Sequence, residues 1–179
     1  RIAVAGYTVS MQMRMFGVMF GLALMSAAMT AVSQNMGAED PKRAERSGWT
    51  VTWISVGATT LMALIFVALS HWLIRFFTDD AETIKWGVIA LVTLSAALPF
   101  TGASMGFSGA LRGAGDTLSP LYASLIFVTV VGPGLAYLLT VVLDYGPMGA
   151  WIGLAIAWSL QSVMVGAIFK RGKWKQIKL

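Results

Sequence analysis

The chain has no cysteine, one histidine and few charges. Without cysteine it forms no disulfide, offers no thiolate to a metal and holds no thiol nucleophile. Charged residues make up 12% of its 179 residues, where soluble domains carry about a quarter. That scarcity argues against an ordinary water-facing surface. It also leaves little material for acid–base chemistry inside the apolar segments. All eight acids, Glu39, Asp40, Glu45, Asp79, Asp80, Glu82, Asp116 and Asp144, fall between those segments.

What fills the chain instead is apolar sequence. Five runs carry no Asp, Glu, Lys or Arg: Met15–Ala38, Ser47–Ile74, Trp86–Leu111, Thr117–Leu143 and Tyr145–Phe169. About 20 apolar residues in a helix cross the ~30 Å hydrocarbon core. All five are longer than that, so the sequence predicts an all-α integral membrane protein with five transmembrane helices.

The charges sit where the runs stop. Gly37 and Pro41 end the first run, and six of the eight residues from Glu39 to Arg46 are charged. Loop 39–46, turn 112–116 and tail 170–179 share one side of an alternating topology and carry nine cations. Loop 75–85 and link 144–147, with Arg1 and Arg14 added, carry at most four. The positive-inside rule places the first group in the cytoplasm and residue 1 outside. A basic tail beside a membrane helix reads as orientation and contact with anionic lipid, not as nucleic-acid binding.

Within the spans, several features bear on function. Met11, Met15, Met19, Met25, Met29 and Met36 share a stripe about 120° wide on the first helix. Methionine reshapes readily, so the stripe suits either helix packing or a wall for varied ligands. A count of ~20 residues back from Asn35 puts Arg14 at the outer interface, where it snorkels. The other placement is a water-filled cavity. Gln161 is a lone amide deep in the last helix, positioned to bond another helix or to face a cavity. Met11, Arg14, Met15, Met19, Met29 and Gln161 are therefore the substrate-cavity candidates.

Pro99 interrupts the third run, and Gly102, Gly106, Gly109 and Gly113 follow on one helix face. Gly132-Pro133-Gly134 marks a second break in the fourth. Pro99, Gly102, Gly106, Gly109 and Pro133 are the hinge candidates, the alternative being static close packing. Trp49, Trp53 and Trp72 read as interfacial belts. Thr78 or Asp79 is positioned to cap the next helix, a better use of that acidic loop than a metal site. No metal ligand set and no catalytic set emerges. Ser108 lacks a base at its depth, because His71 belongs to the opposite end.

Three stretches resemble the multidrug and toxic compound extrusion (MATE) transporters: Gln34-Asn35-Met36-Gly37-Ala38 with Pro41, Arg43-Ala44 and Arg46; Gly109-Ala-Leu-Arg112-Gly113-Ala-Gly115-Asp116-Thr117; and Gly149-Ala150-Trp151-Ile152-Gly153-Leu154-Ala155 before the basic tail. The resemblance spans the chain. It implies that residues 1–179 are one lobe of a twelve-helix, two-lobe transporter, the C-terminal lobe without its first helix. It implies a multi-pass inner-membrane protein, not an enzyme. The expected function is antiport: export of amphipathic or cationic drugs in exchange for protons or sodium ions. Its partners would be those substrates, membrane lipid and the N-terminal lobe. Some branches hold the coupling ion on a carboxylate within this lobe. No acid lies in these spans, so the coupling ion is expected to bind outside this chain, with no other cofactor. The alternative function is a flippase of lipid-linked oligosaccharides.

Overall fold

The computed structural model describes residues 2–177, which are mostly helical with no strand among them. Arg1 and Lys178, both counted in the charge balance above, lie outside the described residues. The helices are α1 (Ile2–Gly37), α2 (Pro41–Ala68), α3 (Ser70–Arg75), α4 (Ala81–Ser95), α5 (Leu98–Gly113), α6 (Leu118–Ser124), α7 (Gly132–Tyr137) and α8 (Gly146–Arg171). Four segments are long and apolar enough to cross a membrane: Gly6–Gly37, Pro41–Ala68, Leu118–Val142 and Gly146–Arg171. The bent pair α4–α5 makes a fifth.

The connections follow from their side chains. Asp40 accepts from the Arg43 amide at 2.9 Å, and Pro41 opens α2, where its missing N–H costs nothing. Glu39, not Gly37, takes the left-handed backbone after α1, at φ 56°. Asn35 Nδ2 donates to the Ala31 carbonyl at 2.6 Å and lies 3.1 Å from Ser47 Oγ, tying the two helices at this turn. Loop 75–85 is shorter than the sequence suggests. α3 runs through Arg75 and α4 starts at Ala81. Asp80, rather than Thr78 or Asp79, caps α4 by accepting from the Thr83 amide at 2.8 Å and from the Thr83 hydroxyl. Those bonds, the hydroxyl's above all, hold the Asp80 carboxyl below the usual carboxylate range.

The bundle is knit by small residues. α5 lies against both α1 and α2, with its glycines at the seam. A Cβ on Gly102 or Gly106 would strike Thr59 or Thr52 of α2. One on Gly109 or Gly113 would strike the Met25 or Met29 carbonyl of α1. One stripe thus serves two neighbours. Hydroxyls reach across the same seams: Ser55 donates to the Gly102 carbonyl at 2.9 Å, and Ser10 lies 2.8 Å from the Gly87 carbonyl. Such bonds place a polar group where hydrocarbon would otherwise strand it. Gly149 and Gly153 of α8 meet the backbone of Leu139 and Ala136 in the same way.

The third and fourth spans treat proline differently. α4 and α5 meet at 42°, and Pro99 sits in the first turn of α5. At Pro133 the expected break is absent. The chain is helical from Leu118 to Val142, but widens to π winding over Leu125–Val131 and Leu138–Val142. The Gly132 amide reaches back five residues to the Phe127 carbonyl, just ahead of the proline. A wider turn makes room for the ring that a tight α-turn would push against.

The ends of the spans alternate as the run lengths imply. Lys175 pairs with Glu45 at 2.7 Å, so tail and first loop share one end. Val32, Ala44, Leu111, Phe169 and Trp174 form a buried cluster at that basic end. Trp174 stacks on Phe169 with ring centroids 5.0 Å apart and donates to the Phe169 carbonyl. Gly172, left-handed at φ 71°, turns the chain back to allow it. Trp49 is a correction. It is half-buried against Phe107 at 5.0 Å and Phe169 at 5.8 Å, not a belt residue. Trp53 and Trp72 are exposed.

Candidate functional site: an intramembrane cleft with cationic walls

A cavity of about 280 Å³ lies between α1, α5, the fourth span and α8. Its position follows from a gap. Two pairs of large side chains bridge α1 to α8: Tyr7 stacks on Trp151 with centroids 6.2 Å apart, and the Arg14 guanidinium carbon lies 3.6 Å from the Trp158 ring centroid. The two pairs are seven residues apart on each helix, so α1 and α8 run parallel here. The cavity opens beside the second pair, with Arg14 and Trp158 in its lining.

Arg14 is the dominant electrostatic feature. Trp158 is halfway along Gly146–Arg171, so its stacking partner is deep in the bundle. The depth count from Asn35 therefore misplaces Arg14 at the interface. The reason is that α1 runs past the end of α5: α5 ends at Gly113 against Met29, and α1 runs on to Gly37. Eight further residues add about 12 Å. Counting from Gly37's end thus includes helix beyond the end of α5, where Val32 and Met36 pack in the cluster with Ala44, Phe169 and Trp174. Stacking on indole offsets part of the cost of holding a guanidinium away from water, ~2 kcal/mol in a desolvated site. Its Nε is buried and has no hydrogen-bond partner among the described residues. No acid lines the cavity to neutralise it.

The remaining lining is polar on one side and soft on the other. Thr101, Ser104 and Ser108 project from α5, with Arg112 at its basic-end rim. Ser104 and Ser108 are buried and line the cavity. Gln161 of α8 donates to Ser124 Oγ at 2.8 Å and leaves its carbonyl oxygen available. Val18, Met25, Met105 and Val128 supply apolar surface.

The candidates from sequence divide accordingly. Arg14 and Gln161 line the cavity, and Met25 of the stripe joins them. Met11 packs beside Trp151. Met15, Met19 and Met29 point outward, with Met15 and Met19 about two-thirds exposed. The stripe therefore does not form one wall, because a straight 36-residue helix passes different neighbours along its length. Pro99 lies at the bend, while Gly102, Gly106 and Gly109 lie in the seams described above. Pro133 lies within the fourth span. Trp158, Thr101, Ser104 and Ser124 escaped sequence reading. A single Trp in an apolar run looks the same whether it meets lipid or an arginine. His71 is exposed on α3 and does not approach the cavity lining.

Fold and cleft together define a polytopic helical membrane protein with a polar chamber inside its bundle. The MatE family profile matches residues 1–138, and the chain belongs to that family. It is 30% identical over 162 residues to a probable multidrug resistance protein NorM of Rhodopseudomonas palustris, covering 86% of this chain and 33% of that protein. It is 34% identical over 158 residues to a NorM of Mesorhizobium japonicum, covering 86% and 34%. Among solved structures, the eukaryotic MATE transporter AtDTX14 superposes with a TM-score of 0.89 at 23% identity, over 98% of this chain and 39% of that one. The fold is therefore that of a MATE transporter. The chain spans about a third of the curated relatives it matches.

Proposed function

We propose that this chain is the C-terminal lobe of a secondary active antiporter that exports amphipathic or cationic compounds in exchange for protons or sodium ions. Membership of the MatE family, with relatives named for multidrug resistance, is the observation that supports this most directly. The 42° bend between α4 and α5 and the π-wound fourth span suit a lobe that changes shape between two states. The coupling ion binds outside these spans, since a cation has no carboxylate to meet here. The N-terminal lobe completes the transport path. The basic end faces the cytoplasm of an inner membrane, and the role is transport rather than catalysis.

The test uses the natural protein that contains this chain, expressed in a drug-sensitised bacterium. Cells should accumulate less of a cationic dye such as rhodamine 6G, and dissipating the ion gradients should abolish the difference. A difference that survives gradient collapse would sink antiport. Reporter fusions should place the carboxyl end and the link near Tyr145 in different compartments, the former in the cytoplasm.

One observation favours the second reading, a flippase for lipid-linked oligosaccharides. Pyrophosphate needs cations, and the cavity presents two, Arg14 and Arg112. Complementation of a flippase-deficient strain, without any change in dye accumulation, would move the function to that reading.

A further inference from the structure

We propose that the cleft beside Arg14 is a binding site for an oxyanion, the carboxylate or phosphate head of a small amphiphile. The argument begins with charge. A guanidinium held deep in a membrane bundle without a counter-ion is costly, and such residues pair or bind ligands. Arg14 is held by Trp158 at 3.6 Å, which orients the guanidinium plane without neutralising it. Its buried Nε has no hydrogen-bond partner among the described residues. A planar fork with free donors matches a two-oxygen anion better than any other ligand.

The surroundings carry the same sign. Arg112 stands at the basic-end rim of the same cavity. It gives an entering anion a second cation on the way in. Ser104 and Ser108 line the same cavity, and the hydroxyl of each can donate to an anionic oxygen. A metal cation or a cationic drug would meet two like charges and no carboxylate here. The size limits the rest of the ligand. About 280 Å³ is at or below the low end of drug-sized sites, ~300–1,000 Å³. It admits a head group and a short chain, which Met25, Met105 and Val128 would flank.

This site does not depend on antiport. Dye export can fail while the anion binds, and the reverse. The experiment uses the full natural protein in nanodiscs of phosphatidylcholine, which supply no net anionic lipid. Equilibrium dialysis measures labelled octanoate and its neutral counterpart octanamide, with empty nanodiscs subtracted. Octanoate should bind saturably and at least tenfold more tightly than octanamide. Arg14→Gln should weaken octanoate at least tenfold and leave octanamide unchanged. Arg14→Lys, which keeps the charge but loses the fork, should fall between. A single gel-filtration peak and the same far-UV helical signal for all three proteins report that each is folded. Octanoate binding abolished by adding phosphatidylglycerol would support oxyanion recognition and make the lipid head group its source. Equal binding of octanoate and octanamide would overturn the proposal. So would binding indifferent to Arg14→Gln, or none in the wild type, as when an acid elsewhere in the polypeptide already neutralises Arg14.

Discussion

α5 and the fourth span, Leu118–Val142, border the same cavity and meet the rest of the molecule in opposite ways. α5 is buried along most of its length, and its glycines sit so close to α1 and α2 that no side chain fits between. The fourth span has no buried residue in either of its π-wound segments and packs mainly on α8, where Gly149 and Gly153 meet its backbone. One wall of the cleft is thus fixed by backbone contact. The other is wound loosely and held by few bonds. In a membrane, where hydrophobic burial does not distinguish lipid from protein, close packing and hydrogen bonds decide which helix stays put. By that measure α5 is the frame and the fourth span is the element free to shift.

The strongest way to break this comparison is to wedge the frame. Gly109→Val would drive two methyl groups into the Met25 carbonyl and Ala28. Overpacking of this kind costs ~3 kcal/mol, or more where backbone must move. We expect the natural protein to lose most of its folded yield, with a much lower unfolding midpoint in detergent. Gly37→Val is the control, as nothing lies within 4 Å of a Cβ there. A Gly109→Val protein as stable as the wild type would mean that α1 and α5 part easily.

How far these features were legible depends on which signal carries them. Five spans follow from run lengths because lipid demands length, and length is written in composition. The bend at Pro99 follows because a proline in a helix has a local, unavoidable effect. Pro133 shows the limit of that rule. Two glycines and a loosely packed neighbourhood let the helix widen instead of breaking, and that choice is tertiary. The Asp80 cap was missed by one or two residues because Thr78, Asp79 and Asp80 are all competent, and only the position of Thr83 selects among them. Arg14 was seen as a charge near the membrane and put at the wrong depth. Depth counted from one helix end includes the turns of α1 that run past the end of α5. The cleft itself, with Trp158 facing Arg14 across two helices, had no sequence signal.

A smaller effect is expected where the loose wall is tied down. Gln161 donates to Ser124 at 2.8 Å, a polar bond that links the fourth span to α8 beside the cavity. Gln161→Leu should cost ~1 kcal/mol, within the spread measured for interhelical bonds in membranes. A double-mutant cycle with Ser124→Ala, read by unfolding in detergent, should return most of that as coupling energy. Additive single mutants would show that something other than this bond holds the wall.

The smallest effect should have the opposite sign. Gly134 sits inside the helical fourth span, and a Cβ there would meet nothing within 4 Å. Alanine lowers the conformational entropy lost on forming a helix, so Gly134→Ala should stabilise by ~0.5 kcal/mol. The same substitution at Gly113 should destabilise, because its Cβ would fall on the Met29 carbonyl. The pair measures the difference between the two walls directly: equal chemistry, opposite outcome. If Gly134→Ala also destabilises the natural protein, then another helix packs on this face in the assembled transporter. The fourth span would then be a second frame, and the moving part of the cleft would have to be sought in α4–α5 and its 42° bend.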